Sequence, residues 1–166
     1  WSWSRGLGDV YKRQALITPG VRIMAAENIK IGNACMIAHG AYISDADWHG
    51  IYDRAEPVGK TKPVIFKDNV WIGDSAIICK GVTIGNNSII GAGSVVTKDV
   101  PDNVIYAGNP AKLVKKLDKD KFNTRREFFS DPQKLALDFD NLDRYTLSKN
   151  SLLGWLKSLI FPDKFN

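Results

Sequence analysis

The sequence predicts an all-β fold, a parallel β-helix followed by an α-helical tail, and three observations predict it. Stepping by six from Phe66 meets Phe66, Ile72, Ile78, Ile84, Ile90 and Val96; stepping by six from Ala25 meets Ala25, Ile31, Ile37 and Ile43. Two residues before these stand Ile23, Ile29, Cys35, Ala41, Val64, Val70, Ala76, Val82, Ser88 and Ser94, which are small or β-branched with little exception. Strand side chains alternate between faces, so both sets point the same way. Gly follows the large residue at Gly32, Gly73, Gly85 and Gly91, where a corner would want a residue tolerant of unusual dihedrals. An amphipathic helix recurs at three and four, not six. Short strands joined by corners, each coil stacking its inward side chains on the next, satisfy the period and build a solenoid.

Taken in order, residues 1–14, WSWSRGLGDVYKRQ, share no periodicity with the rest of the chain, and GLGDVYKRQ resembles translated sequencing-adapter read-through. They are read as non-native and set aside, with the natural N-terminus expected to lie outside the sequence. Residues 15–110 form the β-helix. The two hexad runs lie 23 residues apart where an unbroken frame needs 18 or 24, so a loop, residues 44–63, is inserted between them. It is polar, carries Gly50, Pro57, Gly59, Pro63 and His49, and loops leaving a solenoid tend to carry its function. His39, third in the hexad IAHGAY, falls at a corner and reads as structural.

After Pro110 the repeat stops. Residues 111–166 read as a helical extension that covers an open edge of the solenoid: AKLVKKL (111–117) as a helix start, residues 122–149 as one or two helices. SLLGWLKSLIF (151–161) forms a short amphipathic segment with Leu152, Trp155, Leu156, Leu159 and Ile160 on one face. Packing against protein is favoured for that segment over peripheral membrane contact.

Charge and composition narrow the function classes. Of the net +5, residues 1–14 carry +2; residues 15–110 hold eight basic and nine acidic side chains, and residues 111–166 hold twelve and eight. The basicity is therefore local, and a uniform nucleic-acid-binding face is not expected. No apolar run reaches the eighteen or so residues of a membrane span, and the start is no signal peptide, so a cytoplasmic protein is expected. Cys35 and Cys79 lack metal-ligand spacing and read as reduced core thiols.

The stretch DNVWIGDSAIICKGVTIGNNSIIGAGSVVTKDVPDNVIYAGNPAKLVKKL, residues 68–117, with the His-bearing loop before it, resembles the hexapeptide-repeat acyltransferases, in particular their galactoside, maltose and xenobiotic O-acetyltransferase branch. The resemblance implies a left-handed β-helix of eighteen residues per coil, assembled as a homotrimer that binds acetyl-CoA between subunits. It places His49 at the general base, Trp71 beside the active site, and Ala92, Thr97 and Lys98 along coenzyme A. Lys112 and Lys115 fall where the family keeps basic residues near the adenosine 3′-phosphate. Two positions depart from the pattern. Asp74 stands where galactoside acetyltransferases carry an oxyanion-stabilising serine, leaving a backbone N–H to do that work. The acceptor-binding asparagine would fall near Thr18, so acceptor identity does not transfer.

Transfer of acetyl from a thioester to a hydroxyl requires a base, alignment of the reactants and oxyanion stabilisation. Neutral histidine suits the first near pH 7. Attack in this family is direct, so no covalent nucleophile is needed. Asp45 and Asp47 precede His49 and are candidates either to orient its imidazole or to solvate the loop. Trp48 is placed either to stack on a sugar or to hold the loop, and Tyr52, Asp53, Arg54, Lys60 and Lys62 are of types that hydrogen-bond a polar acceptor. The expected activity is an acetyl-CoA-dependent O-acetyltransferase acting on a sugar, glycoconjugate or similar small acceptor. Alternatives are N-acetyl or serine acetyltransfer, or a non-catalytic assembly module. A zinc carbonic anhydrase on this scaffold needs three histidines, and the chain has two; no metal is expected.

Overall fold

A computed structural model describes residues 15–122, 124 and 131–147; residues 1–14 and 151–161, and the expectations attached to them, lie outside the described residues. The chain divides into two compact units, meeting between Thr124 and Arg125 in sequence. In the first unit the strands run β1 Leu16–Ile17, β2 Arg22–Met24, β3 Ile29–Ile31, β4 Met36–Ile37, β5 Tyr42–Ser44, β6 Val64–Phe66, β7 Trp71–Ile72, β8 Ile77–Ile78, β9 Thr83–Ile84, β10 Ile89–Ile90, β11 Val95–Val96, β12 Val104–Ala107 and β13 Lys112–Lys116. They are dealt in rotation onto three sheets. The first face is β1-β4-β7-β10-β12-β13, the second β2-β5-β8-β11 and the third β3-β6-β9. Up to β12 every pairing is parallel, as coils of a solenoid require.

The spacing of partners measures each coil. Ile65 pairs with Thr83, Trp71 with Ile89 and Ile77 with Val95, eighteen residues apart each time. The first coil takes twenty residues (Leu16 to Met36, Arg22 to Tyr42), the last sixteen (Ile89 to Ile105). Across the inserted loop the separation is 35, as in Ile43 with Ile78.

Both hexad sets point into the coil. Ile37, Ile43, Phe66, Ile72, Ile78, Ile84, Ile90 and Val96 are buried together with Cys35, Ala41, Val64, Val70, Ala76 and Val82, and burial of a large aliphatic side chain contributes about 1.5–3 kcal/mol. The two serines of the small set are also buried, and their hydroxyls hold the shortened last coil: Ser88 donates to the Pro101 carbonyl at 2.7 Å, and Ser94 accepts the Gly108 N–H at 3.1 Å.

The first coil departs from the predicted frame. Ile23, rather than Ala25, occupies the large inward position, pairing with Ile43, and Ile31 resumes the frame opposite Phe66. The two additional residues lie in the corner after β2, which leaves Ala25 exposed.

The corner glycines serve a different purpose from the one expected. Positive φ falls instead at Gly20, Gly40, Ser75, Gly93 and Gly108 on the first corner, at Gly81 on the second, and at Ala34, Asn69, Asn87 and Asn103 on the third. Gly73 is required for space: a Cβ there would meet the Ala92 nitrogen and Ile90 oxygen of the next coil at 2.6 Å. At the third corner asparagines tolerate the left-handed conformation and stack, Asn69 donating to Asn87 and Asn87 to Asn103 at 2.9 Å each. Beside them burial works against the Asp102 carboxylate, but donors from Asn86 and the Lys67 ammonium outweigh it and hold its pKa below the ordinary value.

Residues 111–117, expected to start a helix, form β13 instead. Antiparallel pairing with β12 closes the edge of the first face, where a chain leaving the last coil finds unpaired backbone groups to satisfy. In the second unit α1, Pro132–Leu147, falls within the region read as helical. Asp131 caps it, its carboxylate accepting the Lys134 N–H at 3.0 Å.

Two glycine substitutions separate space from dihedral. Gly73→Ala is expected to cost about 3 kcal/mol by overpacking, and Gly93→Ala, whose Cβ enters open space at φ +66°, about 1 kcal/mol. Urea denaturation midpoints check the order.

Candidate active site

The inserted loop leaves the second face after β5, at the corner toward the third. Its neck is a short antiparallel ladder: Ala46 bridges Thr61, the Asp47 N–H donates to the Lys60 carbonyl at 3.0 Å, the Gly59 N–H to the Asp47 carbonyl at 2.7 Å and the Lys62 N–H to the Asp45 carbonyl at 2.8 Å. Gly59 is needed because its α-carbon backs onto the His49 carbonyl and the Asp47 Cβ.

Asp45 is fully buried. Its carboxylate accepts the backbone N–H groups of Ala26, Glu27 and Asn28 at 2.7, 2.8 and 2.6 Å, the corner that holds the two additional residues of the first coil. A carboxylate so surrounded is stabilised by charge-assisted bonds. It is withdrawn from His49 and from any acceptor, which corrects its place among the candidate binding residues. Asp47 is likewise taken: the Lys80 ammonium pairs with it and donates to the Lys60 carbonyl at 3.1 Å. Neither carboxylate holds the His49 imidazole.

Trp48 is half-buried and its indole N–H donates to the Ser44 hydroxyl at 3.1 Å, so it holds the loop's root. His49 is exposed, and its ring makes no hydrogen bond to a described residue. Tyr52 is entirely exposed, and Arg54 reaches back only to the Ile51 carbonyl at 3.4 Å. The second histidine, His39, donates from Nδ1 to the Pro19 carbonyl at 2.6 Å and lies over Gly20, a structural contact as expected.

Parallel stacking brings other candidates to the same corner. Ile43, Ile78 and Val96 are successive partners, so Lys80 lies one coil above the loop's root and the exposed Thr97 and Lys98 one coil further. Trp71, 45% exposed, is on the first face, which does not border that corner, and exposed Ala92 sits at the corner between the first and second faces. Lys112 and Lys115 are exposed on β13. Three residues apart on a regular strand they would face opposite ways, but the register shifts there: Lys112 pairs with Ala107 and Lys115 with Ile105, leaving Val114 as the additional residue. The bulge therefore turns both lysines to one side. Lys115 continues an outward row of direct partners, Leu16, Met36, Trp71, Ile89 and Ile105.

One chain thus sets the candidate residues in two separate groups, a loop corner with His49, Thr97 and Lys98, and a face with Trp71, Lys112 and Lys115. Two depressions, of about 300 and 450 Å³, open at the corner between the third and first faces, lined by residues such as Lys30, Lys67 and Asp68 or Pro101, Lys116 and Leu117. Neither holds a candidate residue. Asp74 accepts the Ser75 hydroxyl at 2.7 Å and remains a carboxylate at the position where an oxyanion donor was sought. Among the described residues no three His, Cys, Asp or Glu side chains group as a metal site. Burial raises the Cys35 thiol to about 11; Cys79, half-buried at the corner rather than in the core, is also raised, by burial and then by the Asp47 carboxylate.

Sequence reasoning missed Lys80. Its signal was positional: a lysine at the corner directly above the insertion, recognisable once coil length and the loop's exit are known. Asp45→Asn replaces an acceptor by a donor facing three N–H groups, and is expected to lower unfolding free energy by about 1–3 kcal/mol; an unchanged thermal midpoint would contradict the capping role.

Residues 63–98 match the family model for bacterial transferase hexapeptide (six repeats). The galactoside O-acetyltransferase of Escherichia coli (strain K12) is 41% identical over 96 residues, 56% of this chain and 47% of that protein. Among solved structures, a maltose O-acetyltransferase from Clostridium difficile 630 aligns with TM-score 0.54 at 33% identity, covering 64% of this chain and 68% of that one. A galactoside acetyltransferase in complex with coenzyme A aligns with TM-score 0.54 at 31% identity, covering 63% and 61%. The chain spans about half the length of the curated relatives it matches.

Proposed function

This chain belongs to the hexapeptide-repeat acyltransferases, and on that premise we propose that it is an acetyl-CoA-dependent O-acetyltransferase acting on a hydroxyl of a sugar, glycoconjugate or similar small polar acceptor. The observation that carries this reading is His49, an exposed imidazole with no described hydrogen-bond partner on a loop whose root is pinned. Acetyl-CoA, as co-substrate, supplies the acetyl thioester. His49 takes the proton of the acceptor hydroxyl as the oxygen attacks the thioester carbonyl, and returns it to the departing thiolate, so acetyl ester and free coenzyme A leave with no covalent enzyme intermediate. Asp74 cannot donate to an oxyanion, and a backbone N–H serves instead. Tyr52 and Arg54 offer hydrogen-bonding groups to the acceptor from the exposed part of the loop.

The fit to coenzyme A rests on exposed groups of this chain. Lys112 and Lys115, turned to one side by the β13 bulge, supply positive charge for phosphate; Ala92 and Gly93 form a corner open to solvent, with nothing within 4 Å of a Cβ built at Gly93; Thr97 and Lys98 crown the loop's corner.

In this reading the coil is left-handed and three copies assemble in the cytoplasm, His49 of one copy meeting Trp71 and the lysines of the next. Two outward rows support association. On the first face Leu16, Met36, Trp71, Ile89 and Ile105 follow one another, and on the second Tyr42, Ile77 and Val95. The third face instead presents Lys30, Ile65 and Thr83. A large apolar surface beside a polar one marks the side that meets a partner.

The test is coenzyme A release from acetyl-CoA across maltose, galactosides, amino sugars and serine. Release with a hydroxyl acceptor is expected, and His49→Ala is expected to lower it about a hundredfold or more; full activity in that variant would sink the mechanism. Release only with amines would favour N-acetyl transfer, and none with any acceptor an assembly module. Light scattering is expected to give three chain masses, and Ile77→Lys to lower both mass and activity.

A further inference from the structure

A general base must be held near its proton donor, and displacement of about an ångström can cost a hundredfold in rate. Yet the His49 ring has no hydrogen bond to a described residue, so its position is set by the backbone that carries it. That backbone, Asp47 to Gly50, leaves the neck at its upper end and is tied at two levels. Asp45 ties the root to the coil below through Ala26, Glu27 and Asn28. Lys80 ties the neck to the coil above, and it grips both strands: the Asp47 carboxylate on the outgoing one and the Lys60 carbonyl on the returning one.

We infer that Lys80 is a positioning residue for the acetyl transfer, holding the loop neck so that His49 stands in one place. The inference rests on the reading of His49 as the base. Three features single out this residue. An ammonium carries three donors and no acceptor, which suits a group bonding an anion and a carbonyl together. The pair is mostly shielded, with side chains 24% and 34% exposed for Lys80 and Asp47, so solvent screens it less than a surface pair. And the corner from which Lys80 projects is itself held by the solenoid: the Cys79 N–H donates to the Val96 carbonyl at 3.0 Å and the Gly81 N–H to the Lys62 carbonyl at 3.0 Å. Those bonds use backbone only and survive a change of the Lys80 side chain, so the grip can be removed while the coil stays.

The experiment compares Lys80→Met, Lys80→Gln and Lys80→Arg, each with His49 intact and with His49→Ala. Steady-state rates use acetyl-CoA and whichever of maltose, a methyl galactoside, glucosamine or serine supports thiol release; amide hydrogen exchange of residues 45–62 is measured on the same proteins. Lys80→Met is expected to lower kcat about tenfold or more while KM for acetyl-CoA stays within about twofold, and to speed exchange in the neck. Lys80→Arg, whose guanidinium also bonds carboxylate and carbonyl, is expected to recover most of both. In the His49→Ala background Lys80→Met is expected to add no further loss, since the two act through one group. Unchanged kcat or unchanged exchange in Lys80→Met would overturn the inference, as would an equal further loss in both backgrounds. Should Lys80→Met lower the melting midpoint, Lys80→Gln, which keeps a donor for Lys60 but no charge for Asp47, carries the same comparison. Failure of the underlying reading is seen separately, as undiminished activity of His49→Ala alone.

Discussion

Parallel pairing of each coil with the next is the constraint on which the rest of this structure depends. Trp71 can pair with Ile89 and Ile77 with Val95 only if each circuit of the three faces closes after the same number of residues. Departures are absorbed outside the strands. The two additional residues of the first coil go to the corner after β2, the inserted loop goes to the corner after β5, and the shortened last coil is closed by the Ser88 and Ser94 hydroxyls. The strands themselves stay in register, and the inward row from Ile37 to Val96 stays buried.

The same constraint anchors the neck of the candidate loop to the coils below and above it. A long polar loop on a globular surface would ordinarily open at low cost, but this one leaves the solenoid through a neck clamped between two coils. Asp45 fills the oversized corner below and Lys80 reaches down from above. His49, just beyond the neck, is exposed while the residues that carry it are bonded to the coils on either side. That division, an exposed imidazole on a hydrogen-bonded support, is what the proposed chemistry asks of a scaffold.

It also explains why the candidate residues of one chain fall into two separate groups. Edges and faces of a three-sided solenoid point in different directions, so a group at the corner between the second and third faces cannot meet Trp71 and Lys115 on the first. Copies set side by side with apolar rows in contact bring unlike edges together, which ties the proposed chemistry to association. The β13 bulge belongs to the same design: by inserting Val114 it places Lys112 and Lys115 on one side of the last strand, at the end of the row that includes Trp71.

How much was legible is decided by the range over which each feature is set. Inward positions and the existence of an insertion were readable because a covalent spacing of six decides which side chains share a face, whatever else the chain does; three strands to a coil came from the family resemblance, since a period of six does not fix the number of faces. His49 and the basic stretch stood out by residue type and place. The glycines were recognised, but the reason was not: Gly73 needs room for the next coil's backbone, and that neighbour lies seventeen to nineteen residues away in sequence. Ile23 taking the place of Ala25, β13 forming a strand instead of a helix, Asp45 bonding three amides of the coil below and Lys80 gripping the loop depend likewise on what lies one coil away. That distance is sixteen, eighteen, twenty or 35 residues along the chain. Periodicity by itself determined the solenoid and its core; stacking alone decided which polar groups meet, because hydrogen bonds and ion pairs form between neighbours in space whose sequence separation the insertions change.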